Sequence, residues 1–212
     1  MHTKKTTQIP IPSILAENKQ FKPLVHRYGI PEWEKRRGVF QSLVRSIIYQ
    51  QVSGKAAASI FKKFTTLFGG RFPTPAQVLA KPLQELRGAG LSGQKASYII
   101  DLATKIDNKT IKPRVFTSMT NDQIIEHLVQ VKGIGVWTAQ MFLMFTLKRP
   151  DVLPTLDLGI KKGFQVVFRL TALPSHDDME RLSRPWRQYA TLASWYLWRA
   201  ADDQKEKNPL KK

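Results

Sequence analysis

Between Val131 and Gln140 the chain reads Val-Lys-Gly-Ile-Gly-Val-Trp-Thr-Ala-Gln, which puts a cation, two glycines one residue apart and an indole side by side. Glycine accepts positive φ, and without a Cβ it lets another backbone or a ligand come close. A tight hairpin that runs straight into a helix leaves amide N–H groups pointing outward without intrahelical partners. Together with the positive end of the helix dipole they make an anion site, and a phosphate oxygen fits it. The expected donors are the amides of Gly133, Gly135 and Val136, with Lys132 adding charge. A second segment, Leu86 to Ile99, repeats the order of basic residue, Gly-x-Gly and helix, so that Arg87, Gly88 and Gly90 correspond to Lys132, Gly133 and Gly135. Two independent glycine helix stops would read the same way, but a shared use extends the expected phosphate contact to Gly88 and Gly90.

The charge favours that use. Thirty-four Lys and Arg stand against sixteen Asp and Glu, a net +18 on 212 residues. Such a balance suits a polyanion, because each cation that meets a phosphate releases condensed counterions. A generally basic surface is the plainer alternative. There is no cysteine, which excludes disulfides, a thiolate nucleophile, thiolate zinc sites and a cysteine-held iron–sulfur cluster. His2, His26, His127 and His176 show no metal-ligand spacing. The N-terminal stretch lacks the apolar run of a signal peptide, and the longest apolar run, Met141 to Phe145, is too short to span a bilayer. The expectation is a soluble intracellular protein without a membrane partner.

Helices must position these residues. Phe40, Leu43, Val44, Ile47 and Ile48 follow a helical stripe, and Ala57, Ile60, Phe61 and Phe64 form a second that Gly69–Gly70 stops. Pro75 and Pro82 suit first helical turns. Thr120 with Gln123 is a capping-box pattern that opens a helix to about Gln130. Further helices are expected over Gly135–Leu147, Asp157–Arg169, Ser175–Arg184 and Pro185–Ala201, with no run of alternating strand residues. The fold class is all-α.

The strings His127 to Phe145 and Asp151 to Ile160, with Ser42 to Phe64 before them and Arg184 to Trp198 after, resemble the helix–hairpin–helix DNA glycosylases. Within that superfamily they are most similar to the alkylated-base branch, 3-methyladenine DNA glycosylase II. The resemblance covers roughly residues 12–202 in unbroken order. It implies two helical lobes with a cleft between them, a hairpin over 128–139, an N-terminal helix packed with the C-terminal ones, and no extra N-terminal sheet domain. Residues 1–11 are expected to be a flexible N-terminus and 203–212 a charged C-terminal tail.

The same resemblance implies roles. Asp157 holds the aspartate position, where a carboxylate stabilises the cationic sugar and activates water. Its other reading is a helix N-cap, and Asp151 is the spare carboxylate. Trp137 stands where strand-cutting relatives such as endonuclease III carry a nucleophilic lysine, which implies a monofunctional enzyme that leaves an abasic site. Its indole suits a cationic alkylated purine, with an ordinary core tryptophan as the alternative. Trp195 corresponds to a second pocket aromatic, whereas Trp186, Tyr189 and Trp198 are expected to pack the C-terminal helix. Met141 departs from the tyrosine of the longer bacterial enzymes and softens the pocket wall. Gln51 departs from the leucine wedge that fills the gap left by a flipped base, and Ser53 lies beside it as a DNA contact. The carbonyls of Val129, Val131 and Ile134 are implied to hold a structural Na⁺ or K⁺, with no cofactor required for the chemistry. The implied partner is double-stranded DNA with alkylated bases, acted on by a monomer in the cytoplasm or nucleoid of a prokaryote or the nucleus of a eukaryote. A non-catalytic DNA-binding or damage-sensing module is the competing reading, and an enzyme for deaminated or oxidised bases is a third.

Overall fold

The computed structural model describes residues 11–33 and 37–207. In chain order the α-helices are α1 (Ser13–Ala16), α2 (Lys22–Tyr28), α3 (Val39–Tyr49), α4 (Gly54–Thr66), α5 (Pro75–Leu79) and α6 (Leu83–Gly88). There follow α7 (Gly93–Asp107), α8 (Asn121–Leu128), α9 (Val136–Phe142), α10 (Leu158–Phe168), α11 (His176–Ser183) and α12 (Ala190–Lys207). No strand occurs among the described residues, so the all-α class holds. The chain divides into two compact units, Arg36–Leu147 and a second built from Met1–Lys35 with Lys148–Lys212.

In the unit Arg36–Leu147, the apolar stripe of α3 buries Leu43, Val44, Ile47 and Ile48 completely. That face meets α4, α7 and α9. Each such side chain withdrawn from water contributes roughly 1.5–3 kcal/mol. α4 ends at Thr66, and Gly69 and Gly70 then turn the chain with positive φ. α8 opens with the expected capping box, Thr120 Oγ1 accepting from the Gln123 N–H while the Gln123 side chain accepts from the Thr120 N–H. The helix expected over Gly135–Leu147 is α-helical only to Phe142 and widens to a π-helix over Leu143–Leu147.

In the other unit, α10 lies along α12. Gly163 makes the approach possible, since a Cβ there would stand 2.3 Å from the Leu197 carbonyl oxygen. The expected helix Pro185–Ala201 begins differently. Arg184–Tyr189 is a 3₁₀ stretch broken at Trp186, which has φ −123° and ψ 17°. The break turns the Trp186 ring into the core, 5.2 Å from the Phe21 ring and 5.9 Å from that of Phe164. α2 packs on α12 and α1 on the 3₁₀ stretch, so the N-terminal helices join the C-terminal ones.

Part of each expected terminal segment is described. Ile11 packs against the core of its unit. Residues 203–207 continue α12, and Asp203 there accepts from the Tyr28 hydroxyl and pairs with Arg27 at 3.0 Å. The helix outlasts the expected boundary because its carboxylate has these partners on α2. The remainder of the two segments, 1–10 and 208–212, lies outside the described residues.

Candidate functional site

The hairpin between α8 and α9 is anchored from behind. Val131 and Ile134 are buried, and the Lys132 N–H donates to Asp101 Oδ2 on α7 at 2.9 Å. Asp101 Oδ1 is 2.6 Å from Lys105 Nζ. Burial alone raises the Asp101 carboxyl, but the hydrogen bonds from Lys105 and the Lys132 N–H outweigh it and hold the group below its ordinary 3.8. The Lys132 side chain itself is exposed. Gly133 has φ +80°, and a Cβ there would stand 2.0 Å from Tyr98 Cδ2. Its carbonyl accepts from Gln50 Nε2 at 2.8 Å.

Gly135 is the N-cap of α9 and supplies no side-chain cap, so the first intrahelical bond runs from the Ala139 N–H to the Gly135 carbonyl at 3.0 Å. A Cβ at Gly135 would meet nothing within 4 Å. The two glycines therefore differ. Gly133 makes the turn and receives the Tyr98 ring, while Gly135 keeps the helix end open.

The internal echo is real but its register is shifted. The positive-φ glycine of the first joint is Gly90, not Gly88, which closes α6. Gly90, buried Leu91 and N-cap Ser92 thus match Gly133, buried Ile134 and N-cap Gly135. Ser92 Oγ accepts from the Lys95 N–H at 3.2 Å. The first joint so carries its own cap at the position the second leaves bare. The two glycine pairs are equally spaced in the sequence, and their backbone torsions show that they do different work.

α3 ends beside these joints. Lys95 Nζ donates to the carbonyls of Ile48 and Gln50, each at 2.7 Å, and burial pushes its ammonium below the usual lysine range. Gln51 is exposed with φ +52°, a left-handed conformation that a non-glycine residue adopts only when its surroundings hold it there. A concavity of about 430 Å³ opens between Gln51, Ser92, Lys95, Tyr98, Gly90 and Gly133. Gly88 does not line it. Ser53, expected as a DNA contact, serves as N-cap of α4, its Oγ accepting from the Ala56 N–H at 3.3 Å.

α9 presents Trp137 at 48% exposure, with Val136 also exposed, so this tryptophan is not a core residue. Met141 lies four residues on, on the same helical face and half-buried. Exposed aromatic surface is the informative kind of exception.

In the other unit, Asp157 is the N-cap of α10. Its Oδ1 accepts from the Ile160 N–H at 2.8 Å and from Trp198 Nε1 at 2.9 Å. Both readings of this residue from sequence are thus compatible: the cap bond fixes a carboxylate whose neighbours Leu156 and Leu158 are 69% and 55% exposed. The loop before it is stapled to the start of α12. Thr191 Oγ1 donates to the Arg149 carbonyl at 2.6 Å and accepts from the Val152 N–H at 3.2 Å. The Thr191 N–H reaches the Pro150 carbonyl at 2.9 Å, and Arg187 donates to the carbonyl of Asp151. Thr155 Oγ1 is 2.9 Å from His176 Nδ1 on α11.

Trp195 packs edge-on with Tyr28 and Tyr196, ring centres 6.1 and 5.1 Å away, and carries the Arg199 guanidinium 5.1 Å from its ring centre. Trp186 packs the core as expected. Trp198 packs against the core of its unit as expected, and in addition donates to the carboxylate. The signal that would have found it is the pair Gly159 and Gly163, one helical turn apart on α10, where a Cβ at 159 would lie 2.8 Å from Trp198 Cδ1.

The sequence and the helical architecture are shared with known proteins. Residues 44–188 match the model of the HhH-GPD superfamily base excision DNA repair proteins. The chain is 34% identical to DNA-3-methyladenine glycosylase 1 of Schizosaccharomyces pombe, over 93% of this chain and 89% of that protein. It superposes on a DNA-3-methyladenine glycosidase from Bacillus halodurans with TM-score 0.83 at 32% identity, covering 92% and 90% of the two chains. A 3-methyladenine DNA glycosylase of S. pombe in complex with abasic DNA gives TM-score 0.73 at 31% identity, covering 88% and 93%. By family match, by sequence and by helical architecture, the chain belongs to the HhH-GPD superfamily of base excision DNA repair proteins.

Proposed function

We propose that this chain is a monofunctional DNA glycosylase that flips alkylated purines of the 3-methyladenine and 7-methylguanine type out of double-stranded DNA and excises them hydrolytically. The observation that carries the reading is the Asp157 carboxylate, held at the head of α10 by two neutral donors. A pure DNA binder gains nothing from a carboxylate placed to face phosphates. The amine that a strand-cutting relative would use is replaced by Trp137, which cannot form a Schiff base.

The chemistry follows from these groups. The damaged nucleotide must leave the stack before C1′ can be reached, and Gln51 fills the gap and hydrogen-bonds the orphaned partner. An N-alkylated purine carries a positive charge, so it departs neutral with the bonding electrons and needs no proton from the protein. Positive charge then develops on the sugar, where Asp157 stabilises it. Water adds to C1′ and gives its proton to the same carboxylate. Trp137 offers an indole face to the cationic base, with Met141 beside it, and Trp195 is a further aromatic contact of the base. The amides of Gly133, Gly135 and Val136, with the charge of Lys132, grip a phosphate; Gly90, which lines the same concavity as Gly133, and Ser53 are further DNA contacts. The carbonyls of Val129, Val131 and Ile134 follow the C-terminal end of α8, whose dipole favours a cation, and neutral oxygens suit Na⁺ or K⁺. Such an ion would brace the hairpin and take no part in the reaction.

Among the described residues no helix is long and apolar enough to cross a membrane. The enzyme acts as a monomer in the compartment that holds the genome. Incubation with methylated duplex DNA and chromatography of the released bases tests the reading. Free 3-methyladenine or 7-methylguanine is expected, with strands intact until alkali is added. Borohydride present during turnover should trap no protein–DNA adduct; an adduct lost in Lys132→Ala would make the enzyme a lyase. Binding without any base release would leave the non-catalytic module as the function.

A further inference from the structure

We infer that Trp198 is a positioning residue for excision, its indole N–H setting the plane of the Asp157 carboxylate. The inference rests on the reading of Asp157 as the group that stabilises the sugar cation. The last torsion of an aspartate is a broad, roughly two-fold rotor. The cap bond from the Ile160 N–H reaches one oxygen of the carboxylate. Trp198 Nε1 supplies the second donor, to the same Oδ1, at 2.9 Å against 2.8 Å for the cap. Two donors from different directions on one oxygen define the plane. They single out Oδ1 as the oxygen that both the cap and the indole hold.

The chemical type of the donor matters as much as its place. An ammonium or guanidinium could orient the carboxylate equally well, but it would cancel the charge that has to face a developing cation. An indole N–H is neutral and orients without neutralising. It is also rigid, since the ring has only two torsions and is half-buried against the core of its unit.

The chain is shaped to admit the ring. At Gly159 a Cβ would stand 2.8 Å from Trp198 Cδ1 and 3.0 Å from Asp157 Oδ1. At Gly163 it would strike the backbone of Leu197, the residue before Trp198, at 2.3 Å. α10 thus carries its two bare positions where α12 delivers the indole. Simple helix packing accounts for Gly163 but not for Gly159, whose space is taken by the hydrogen-bonded edge of the ring and by the carboxylate itself.

The test compares Trp198→Phe with Asp157→Asn in single-turnover excision, DNA affinity and thermal stability. Phenylalanine keeps an aromatic ring beside Gly159 and removes only the donor. The expected result is a fall in excision rate of about ten- to a hundredfold, the scale of one hydrogen bond to a charged group, with DNA affinity within about twofold. Site-specific β-(3-benzothienyl)alanine at 198 places sulfur where Nε1–H stood in the same shape, and it should lose as much. If that analogue works at the wild-type rate, shape alone matters and the inference fails, whatever becomes of the phenylalanine variant's folding. The double variant Asp157→Asn with Trp198→Phe should be no slower than Asp157→Asn alone; losses that multiply would mean that Trp198 acts elsewhere. Full activity in Trp198→Phe with a crippled Asp157→Asn overturns the positioning role and leaves Asp157 catalytic. Full activity in Asp157→Asn overturns the role of Asp157, and the inference with it.

Discussion

The heads of α9 and α10 solve one physical problem in opposite ways. Each helix begins with amide N–H groups that need an acceptor and with the positive end of a dipole. α10 brings its own acceptor, the Asp157 carboxylate, which bonds the Ile160 N–H and is then fixed by Trp198. α9 begins at a glycine with no side chain to offer and with open space where a Cβ would be. The first end satisfies itself and so holds an anion in place; the second has no side-chain cap of its own, which on the proposed function leaves it for a phosphate. A family enzyme for DNA needs both, one to face a sugar cation and one to hold a phosphate. The Ser92-capped head of α7 serves as an internal control, having the turn of α9 and the self-capping of α10.

This contrast breaks most sharply at Asp157. Asparagine caps helices as well as aspartate does, so Asp157→Asn should fold and bind DNA normally while base release falls by about a thousandfold, the scale of one lost electrostatic stabiliser. Single-turnover kinetics beside a melting curve would check it. A matching loss of stability would mean that the carboxylate is only a cap.

Gly133→Ala comes next. It demands positive φ from alanine and places a methyl group inside the Tyr98 ring. Stability should fall by about 2 kcal/mol or more, and DNA affinity with it, as read by denaturant titration and binding. Gly135→Ala separates the two effects. Its melting temperature should match the wild type, while affinity drops a few-fold for every DNA sequence alike, since phosphate contacts carry no base information. Equal losses of stability in the two variants would show that both glycines serve the turn. Affinity of the wild type should also fall steeply with added salt.

The smallest effect is the anchor behind the hairpin. The Asp101 carboxyl is depressed in the folded protein, so its stabilisation is present above the unfolded value near 3.8 and lost as pH falls through the lower folded value. Asp101→Asn should therefore cost about 1 kcal/mol at neutral pH, and the gap from wild type should close below about pH 4. Urea midpoints measured at neutral and acid pH test the sign.

Local signals made much of this molecule legible. The α3 stripe, the Thr120–Gln123 box and the need for glycine in the hairpin each involve residues within a turn or two of one another, where periodicity and capping chemistry speak directly. The break at Trp186 is hidden in the sequence because helical spacing runs through it, and the contacts of its ring with Phe21 and Phe164 give the reason why the backbone leaves the helix there. Gly88 was paired with Gly133 by spacing, and torsion moved the equivalence to Gly90.

By itself the sequence determined the helical class, the exclusion of thiol chemistry, the polyanion-seeking charge and the places where a helix must begin. These depend on composition and on bonds between near neighbours. Tertiary structure alone decided which glycine turns and which stays open, and which of the packed C-terminal tryptophans also holds a carboxylate. Lys132 meets Asp101 across 31 residues, Trp198 meets Asp157 across 41, and Gln50 meets Gly133 across 83. A hydrogen bond requires its partners within about 3 Å, and over such separations only the packing of helices sets that distance.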